Sequence, residues 1–332
     1  MAQGADDLVA GSTRVVDIRG TLPPLGWGVR VDDAAIDMVA ATLATATLPA
    51  SGEGIRTLPR GATPGRWCDF IGLSVSVLAC LWAPVGDEQW TVEVAGEKLT
   101  DAPAFFHAFA RTMLPLEGGD GYDLAAFVDW TLDDAYAMFD GNGHFQLVPE
   151  RWHQLRATAR VMCERYDGSF LGLVRSCEYD AEVVVRTLVD EVPGYHDVSH
   201  SDRGVLRFEK LPRLATAMIA GGLEQPLRGL DEFPVYPDYM IPKVFRHWGI
   251  FTYDDALAAT VDERRLVPKD SEWEHGLRWA TVAAADRLRV RMAGLGRPIT
   301  GPQLDFALWH AGVLGPHAGQ MGEHHRTLTL HY

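Results

Sequence analysis

Helical periodicity with well-marked helix starts is the feature that most constrains the fold of this chain. Ser271 and Glu274 form an S-x-x-E capping box in front of a segment whose apolar spacing predicts a helix reaching about Met292. Thr300 and Gln303 form a second box before another helical segment. Helices of this kind bury their apolar faces against other helices, so the pattern favours a largely helical core.

Helical patterns also precede these two segments. Apolar residues that follow a cap at Asp32 or Asp33 have helical spacing. Further helices are predicted from Asp101, after Thr131 and from Pro149, and one more from about Leu171 to Val189.

The clearest strand signal is a short hairpin, in which Ala95-Gly96-Glu97 joins Trp90–Val94 to Lys98–Thr100. The predicted fold class is therefore mainly α, with a small β-hairpin or sheet element. We expect a flexible N-terminus over residues 1–12 and one large domain over 13–332, with a β-containing subregion at 65–100. Residues 51–65 are rich in Gly, Pro and Arg, and are predicted to form an exposed loop of the kind that can cover a site.

Charge and composition narrow the class of function. The net charge is −15, which argues against binding to a nucleic-acid polymer but not against a small anionic ligand. The chain starts without the pattern of a signal peptide, and no apolar stretch is long enough to span a bilayer, so we expect a soluble cytoplasmic protein without membrane contact. The four cysteines form no CxxC pair and are expected to be reduced core thiols. The oligomeric state stays open, and a monomer is compatible with the sequence.

Three segments in the C-terminal half combine polar and aromatic residues. They are Phe208–Lys210, the Pro-bracketed turn Tyr236–Lys243 that runs into a helix, and Leu304–Trp309. In the last of these, Asp305 and Trp309 are four residues apart and share one helix face. The sequence then closes with His324-His325-Arg326 and an alternating tail that ends in Tyr332.

These segments resemble the queuosine salvage proteins, a family of queuosine 5′-phosphate N-glycosylases. The matching stretches are PDYMIPKVFRHWGIFTYDDAL, LDFALW and HHRTLTLHY, with weaker matches in VPERWHQLRATARVM, YDGSFLGLV and FEK. They follow the family order from about residue 90 onward, with a fainter match at 31–39. The chain departs from the family at Gly72–Val75, at Pro212 and over 117–129, which bears on base specificity more than on the reaction.

The resemblance implies hydrolysis of the bond between ribose and a 7-deazaguanine base, in a helical fold similar to that of DNA glycosylases. It implies that Asp238, in the DYxxP turn, is the catalytic carboxylate. It also places Asp305 and Trp309 at the ligand. We further expect the turn residues Tyr236, Pro237 and Tyr239 to take part in substrate binding.

Physical chemistry supports these roles and leaves alternatives open. N-glycosidic cleavage passes through an oxocarbenium-like state, which an ionised carboxylate below the sugar stabilises. Asp238 before a helix could serve this purpose or act only as a helix cap. A 7-deazapurine has carbon in place of the usual ring nitrogen, so departure of the base depends on contacts to the pyrimidine edge. Asp305 could bind that edge, or pair with the secondary amine of queuine.

The remaining candidates bind rather than react. Lys210, Lys243, His325 and Arg326 are candidates for a 5′-phosphate, with Lys210 and Arg326 preferred. Trp309, Tyr236, Tyr239 and Trp248 are candidates for stacking on the base, although such aromatics also build cores.

Other chemistries have weaker support. The sequence contains no HExxH or CxxC pattern and no GxGxxG, Walker or GxSxG motif, so no metal and no cofactor are expected. The prediction is a nucleotide N-glycosidase that releases queuine for tRNA modification, with a small-molecule nucleotide as its partner. The alternatives are a non-catalytic 7-deazaguanine-binding protein and a glycosidase for a different nucleobase.

Overall fold

A computed structural model describes residues 14–50, 52, 58–59, 62–114 and 123–332. The predicted flexible N-terminus, most of the predicted loop over 51–65 and part of the divergent stretch over 117–129 lie outside the described residues.

The described chain is mainly α-helical, as predicted. The helices are α1 Asp33–Thr45, α2 Pro64–Val75, α3 Asp101–Met113, α4 Leu132–Met138, α5 Val148–Arg165, α6 Phe170–Ser176, α7 Ala181–Glu191, α8 Lys210–Ala220, α9 Met240–His247, α10 Asp255–Asp262, α11 Glu272–Gly294 and α12 Gly301–Val313. The strands are β1 Val29–Val31, β2 Thr91–Val94, β3 Glu97–Thr100, β4 Val198–Ser201, β5 Gly204–Arg207 and β6 Phe251–Tyr253.

The strands form antiparallel pairs. The predicted hairpin is confirmed as β2–β3, in which Val92 faces Leu99. A second hairpin, β4–β5, and the pair β1–β6 were not predicted. The β1–β6 pair joins segments more than 200 residues apart, and each strand has only three residues, so local sequence carries little signal for it.

The two predicted capping boxes differ in the structure. At α12 both bonds are present, because Thr300 Oγ1 accepts from the Gln303 amide and Gln303 Oε1 accepts from the Thr300 amide. At α11 Ser271 Oγ accepts from the Glu274 amide, but the Glu274 carboxylate bonds the amide of Asp270 instead. The start of α11 was therefore predicted correctly, while the reciprocal bond was not.

The single helix predicted from Leu171 to Val189 is wrong. The chain forms α6 and α7, and between them Glu178 and Tyr179 adopt left-handed backbone conformations with φ of 52° and 56°. Asp180 then caps α7 by accepting bonds from the amides of Glu182 and Val183. The apolar spacing continues through this break, which is why periodicity alone joined the two helices.

The helices enclose two main apolar cores. The larger core contains residues of α2, α3 and α5 to α8, and the second contains residues of α1, α9, α10, α11 and α12 with β1 and β6. Helix α12 lies between them, since Leu304 and Leu308 belong to the second core while Phe306 and Trp309 pack against the first. The site described below lies on the side of α12 that faces the larger core.

Two departures from the family pattern have local explanations. Gly72 in α2 lies against Phe170, and a Cβ at that position would come within 2.3 Å of its ring. Pro212 is the third residue of α8, where no helical N–H bond is lost.

Other expectations concern cysteines and membranes. All four cysteines are free, and Cys68, Cys80 and Cys177 are buried, in agreement with their assignment as reduced core thiols.

None of the described helices has the length and apolar character needed to cross a membrane.

Candidate active site

A cavity of about 850 Å³ opens beside helix α12, and its apolar wall comes largely from the larger core. This volume lies within the usual range for small-molecule sites, about 300–1,000 Å³. Much of its wall is apolar, and four carboxylates and one lysine also face it. The polar lining residues used below are Asp101, Lys210, Asp231, Asp238 and Asp305, and the aromatic ones include Trp67, Phe106, Tyr236, Tyr239, Phe306 and Trp309.

The turn before α9 places Asp238 at the cavity. Its Oδ1 atom accepts hydrogen bonds of 2.9 Å from the amides of both Met240 and Ile241. Asp238 is 9% exposed and lines the cavity. The carboxylate therefore caps the helix and also faces the cavity, so the two interpretations of this residue are compatible.

Asp305 fixes helix α12 to the same turn. Its Oδ1 atom accepts a 2.8 Å hydrogen bond from the backbone amide of Tyr236. Trp309 follows one turn later and also lines the cavity, as their shared helix face predicted. Its ring lies 5.7 Å from that of Phe306, at an interplanar angle of 35°.

Lys210, the first residue of α8, supplies a positive charge beside these carboxylates. Its backbone amide donates a 2.8 Å bond to Asp197, and its Nζ donates a 3.3 Å bond to the carbonyl of Leu78. Burial lowers the pKa of Lys210, while Asp238 and Asp305 oppose that change. Among the lining residues that the structure describes, Lys210 is the only lysine or arginine.

The two carboxylates differ in how strongly the anion is supported. Burial raises the pKa of Asp305 well above its ordinary value, and the charge of Asp238 raises it further. Burial also raises the pKa of Asp238, but Lys210 and the amides of Ile241 and Met240 oppose the rise. The charged form of Asp238 therefore has more direct support than that of Asp305, which accepts one backbone bond from Tyr236.

A buried ion pair outside the cavity, Arg278–Asp197, contacts both the turn that carries Asp238 and the start of α8. Arg278 donates to both carboxylate oxygens of Asp197, at 2.8 and 2.6 Å, and its Nε donates to the carbonyl of Pro237 at 3.3 Å. The guanidinium also lies 4.2 Å from the ring centroids of both Phe208 and Tyr332. Because Asp197 bonds the Lys210 amide, Arg278 connects the start of α8 to the turn that carries Asp238.

Comparison with known proteins places the chain in a family. A family model described as "Queuosine salvage protein" matches residues 62–332. The chain belongs to the queuosine salvage protein family. It is 29% identical over 268 residues to a protein of Sphaerobacter thermophilus named queuosine 5′-phosphate N-glycosylase/hydrolase, a match that covers 80% of this chain and 81% of that protein. A mouse protein of the same name is 22% identical over 267 residues, or 76% of this chain and 77% of the relative.

The structure brings most of the predicted site residues of this family member together. Lys210, Tyr236, Asp238, Tyr239, Asp305 and Trp309 all line the cavity. Pro237 does not line it, but its carbonyl receives the bond from Arg278. The described part of the predicted loop over 51–65 also reaches the cavity, through Gly52, Leu58 and Ala62.

His325 and Arg326, predicted to bind a phosphate, lie outside the cavity lining. His325 is buried against the ring of Tyr332, and burial lowers its pKa to about 3, which favours the neutral imidazole. Arg326 donates to the carbonyl of Ala83 at 3.3 Å and pairs with Glu323 at 3.5 Å. These contacts give both residues a place in the packing of the tail, and the structure does not bring them to Lys210.

The other two candidates also lie outside the lining residues. Lys243 is half-buried and its Nζ donates to the carbonyl of Gly312 at 3.4 Å. Trp248 packs at the edge of the second core.

Two residues with a place in this arrangement were not identified from the sequence. Asp101 was treated only as a helix start, yet it lines the cavity. Arg278 lies in the middle of α11 and has no motif around it, and only its burial beside Asp197 reveals its position.

One cluster outside the cavity has the residue types of a metal site. Ligand atoms of Asp270, Glu274 and His275 lie within 4.8 Å of one another. However, Lys269 Nζ lies 3.8 Å from Asp270, and an Arg278 nitrogen lies 3.6 Å from Glu274. Because these cations already compensate the two carboxylates, the cluster is explained without an ion.

Proposed function

We propose that this chain is a hydrolase that cleaves the N-glycosidic bond of queuosine 5′-phosphate and releases queuine. The observation that carries the proposal is the buried Asp238 carboxylate, which faces a cavity of nucleotide size beside Lys210. Membership of the queuosine salvage family supports it, and relatives from a bacterium and from mouse are named for this activity.

Asp238 suits the electrostatic part of the reaction. As the bond from C1′ to the base nitrogen breaks, positive charge develops on C1′ and the ring oxygen of the ribose. An anion held in a site that excludes water stabilises this charge more strongly than it would in water. Two backbone amides hold the Asp238 carboxylate in place, so it needs little rearrangement during the reaction.

Asp305 suits the departure of the base. The electron pair of the broken bond moves onto the base, and position 7 is a carbon that cannot take up a proton usefully. The raised pKa of Asp305 favours its protonated form, which can donate a hydrogen bond to the edge of the base as negative charge builds there. Water then adds to C1′ and loses a proton, while the base gains one. Direct attack by water and a covalent intermediate on Asp238 both fit this arrangement.

The aromatic residues and Lys210 complete the proposed substrate site. Tyr236, Tyr239 and Trp309 line the cavity and can stack against a flat base. Lys210 stabilises the Asp238 anion, and its contact with a 5′-phosphate stays a prediction. The cavity volume of about 850 Å³ and the net charge of −15 favour a small nucleotide over a nucleic-acid polymer. A single domain over 13–332 and a cytoplasmic location remain part of the proposal.

The test is product analysis after incubation with queuosine 5′-phosphate. Asp238→Asn keeps an oxygen that can accept from Met240 and Ile241 but removes the negative charge. We expect free queuine from the native protein and a loss of at least about 100-fold in kcat for the variant. Asp254→Asn is the matched control, because the exposed Asp254 side chain caps α10 by accepting from Leu257.

The outcomes separate the candidate functions. Queuine release at native rates by the Asp238→Asn variant would refute the role of this carboxylate. Recovery of intact nucleotide bound to the native protein would identify a binding protein without catalysis. Faster cleavage of a nucleotide with another base would keep the reaction and change the substrate.

A further inference from the structure

Asp101 is a carboxylate of the cavity that neither the sequence motifs nor the proposed reaction employs. It is the first residue of α3, with a left-handed backbone conformation at φ 55°. Non-glycine residues seldom adopt this conformation, and they adopt it most often at functional sites and tight turns. Asp101 lines the same cavity as Asp238 and Asp305.

One of its oxygens remains available to a ligand. Oδ1 accepts a 2.7 Å hydrogen bond from the amide of Ala102, which satisfies the start of α3. Within the described residues, no lysine, arginine or histidine nitrogen lies within 4.0 Å of the Asp101 carboxylate. Lys210 and Lys243 are close enough to lower its pKa, but Lys210 lies beside Asp238 and Asp305, and Lys243 donates to Gly312.

The charge of Asp101 also differs from that of Asp305. Burial raises the pKa of Asp101 to about 6, with a further contribution from Asp238, so at neutral pH it is mostly ionised. Asp305, whose pKa is raised well above its ordinary value, favours the neutral form. On α3, the cavity therefore presents a carboxylate that is mostly ionised at neutral pH and that has no lysine, arginine or histidine close to it among the described residues.

We propose that Asp101 binds the cationic secondary amine of the 7-substituent and thereby selects amine-bearing 7-deazaguanine nucleotides. The proposal rests on the proposed function, since it concerns the substrate of the same site. An unpaired anion at a cavity is best compensated by a ligand cation, and the amine is the cation that queuosine carries. It assigns Asp305 to the base edge and Asp101 to the amine, the two roles that the sequence left unassigned.

Substrate selectivity tests the assignment. Native protein, Asp101→Asn and Asp101→Gly are compared on queuosine 5′-phosphate and on 7-cyano-7-deazaguanosine 5′-phosphate, which has no amine. We expect both variants to lower the ratio of kcat/KM for the first substrate over the second by about 10- to 100-fold, as for a lost charge-assisted hydrogen bond. Glycine and asparagine tolerate the left-handed conformation, so backbone strain does not cause this change.

Asp167→Asn provides the matched control. Asp167 is exposed, lies outside the cavity lining and has φ of 53°, so the substitution changes the same residue type in the same backbone conformation. We expect its selectivity ratio to equal that of the native protein. Equal losses on both nucleotides in Asp101→Asn, or an unaltered ratio, would overturn the proposal.

Calorimetry with free bases separates this proposal from the proposed function. If the native protein cleaves neither nucleotide, the hydrolase assignment fails, but binding of queuine and 7-cyano-7-deazaguanine still tests Asp101. The proposal is supported if Asp101→Asn weakens queuine binding by about tenfold or more relative to the cyano base. It is overturned if the two bases weaken equally, or if the native protein does not bind queuine.

Discussion

The Arg278–Asp197 pair allows a sharp prediction about stability. The side chains are 1% and 2% exposed, and both terminal guanidinium nitrogens bond the carboxylate. Asp197→Asn removes the negative charge and leaves Arg278 buried, with Glu274 as a more distant partner at 3.6 Å. Removal of one member of a buried pair costs about 3–5 kcal/mol, most of it from the uncompensated charge that remains.

This cost corresponds to a measurable change in melting temperature. The unfolding entropy of 332 residues is about 0.7 kcal/mol/K, so the loss of about 3–5 kcal/mol lowers Tm by about 4–7 °C. Calorimetry measures the shift, and urea titration measures the free energy of unfolding directly. We also expect lower kcat, because Asp197 bonds Lys210 and Arg278 bonds the carbonyl before Asp238.

A pair near the surface provides the control. Arg246 and Asp262 also make two bonds, at 2.6 and 2.9 Å, but their side chains are 27% and 55% exposed. We expect Asp262→Asn to lower the free energy of unfolding by no more than about 1 kcal/mol, because water replaces the partner. Equal losses in Asp197→Asn and Asp262→Asn would refute the reasoning from burial.

The stability that the Arg278–Asp197 pair contributes should depend on pH, and the sign of that dependence follows from the pKa of Asp197. Burial works to raise the pKa of Asp197, but the charge and hydrogen bonds of Arg278 outweigh it and hold the pKa below its ordinary value. The native state thus binds fewer protons here than the unfolded state does. The stabilisation is complete above the unfolded value, about 4, and is lost as pH falls through the folded value. The difference between native protein and Asp197→Asn should therefore shrink in acid.

Two further predictions concern the cavity. Asp305→Asn keeps an acceptor for the Tyr236 amide, whereas Asp305→Ala leaves that buried N–H unpaired. Asp305→Ala should therefore lower the free energy of unfolding by about 1–3 kcal/mol more than Asp305→Asn does, as measured by urea titration. Equal stability of the two variants would contradict this reasoning. In pH profiles of kcat/KM for queuosine 5′-phosphate, activity should rise as Asp238 ionises, at a pH above 3.8, the ordinary pKa of an aspartate. Lys210→Met should move this rise to higher pH, because it removes the positive charge that lowers the pKa of Asp238. Lys243→Met is the control, and an equal shift in both variants would count against the Lys210–Asp238 interaction.

Much of the site could be predicted from the sequence because its signals are local. The turn at Asp238 lies directly before a helix, and Asp305 and Trp309 share one helix face, so their spacing alone places them on one side of α12. Family resemblance then assigned both segments to one ligand. The structure adds the bond from the Tyr236 amide to Asp305, which joins the two segments directly.

The features that were missed depend on contacts between distant segments. Asp101 looks like any acidic residue at the start of a helix, and its exposure to the cavity follows only from how α3 packs against α2 and the β2–β3 hairpin. His325 and Arg326 lie in the segment HHRTLTLHY, on which the resemblance to the family partly rests. That segment does not reveal that the tail packs against Ala83, Trp82 and Cys80. The resemblance indicated candidate residues more readily than the surface that each of them faces.

The same contacts that bury the charges of this site also set the position of Asp238. Its turn is bonded to α12 through Asp305 and to α11 through Arg278, while Lys210 is fixed by Asp197. A buried charge is costly in free energy unless a partner compensates it. Each partner in this site also holds a second site residue in place. Loss of one partner should thus affect both stability and catalysis. The Asp101→Asn substitution differs, because Asn can still accept from the Ala102 amide and the free oxygen of Asp101 supports no other described residue. Its effect should therefore appear in substrate selectivity with little loss of stability.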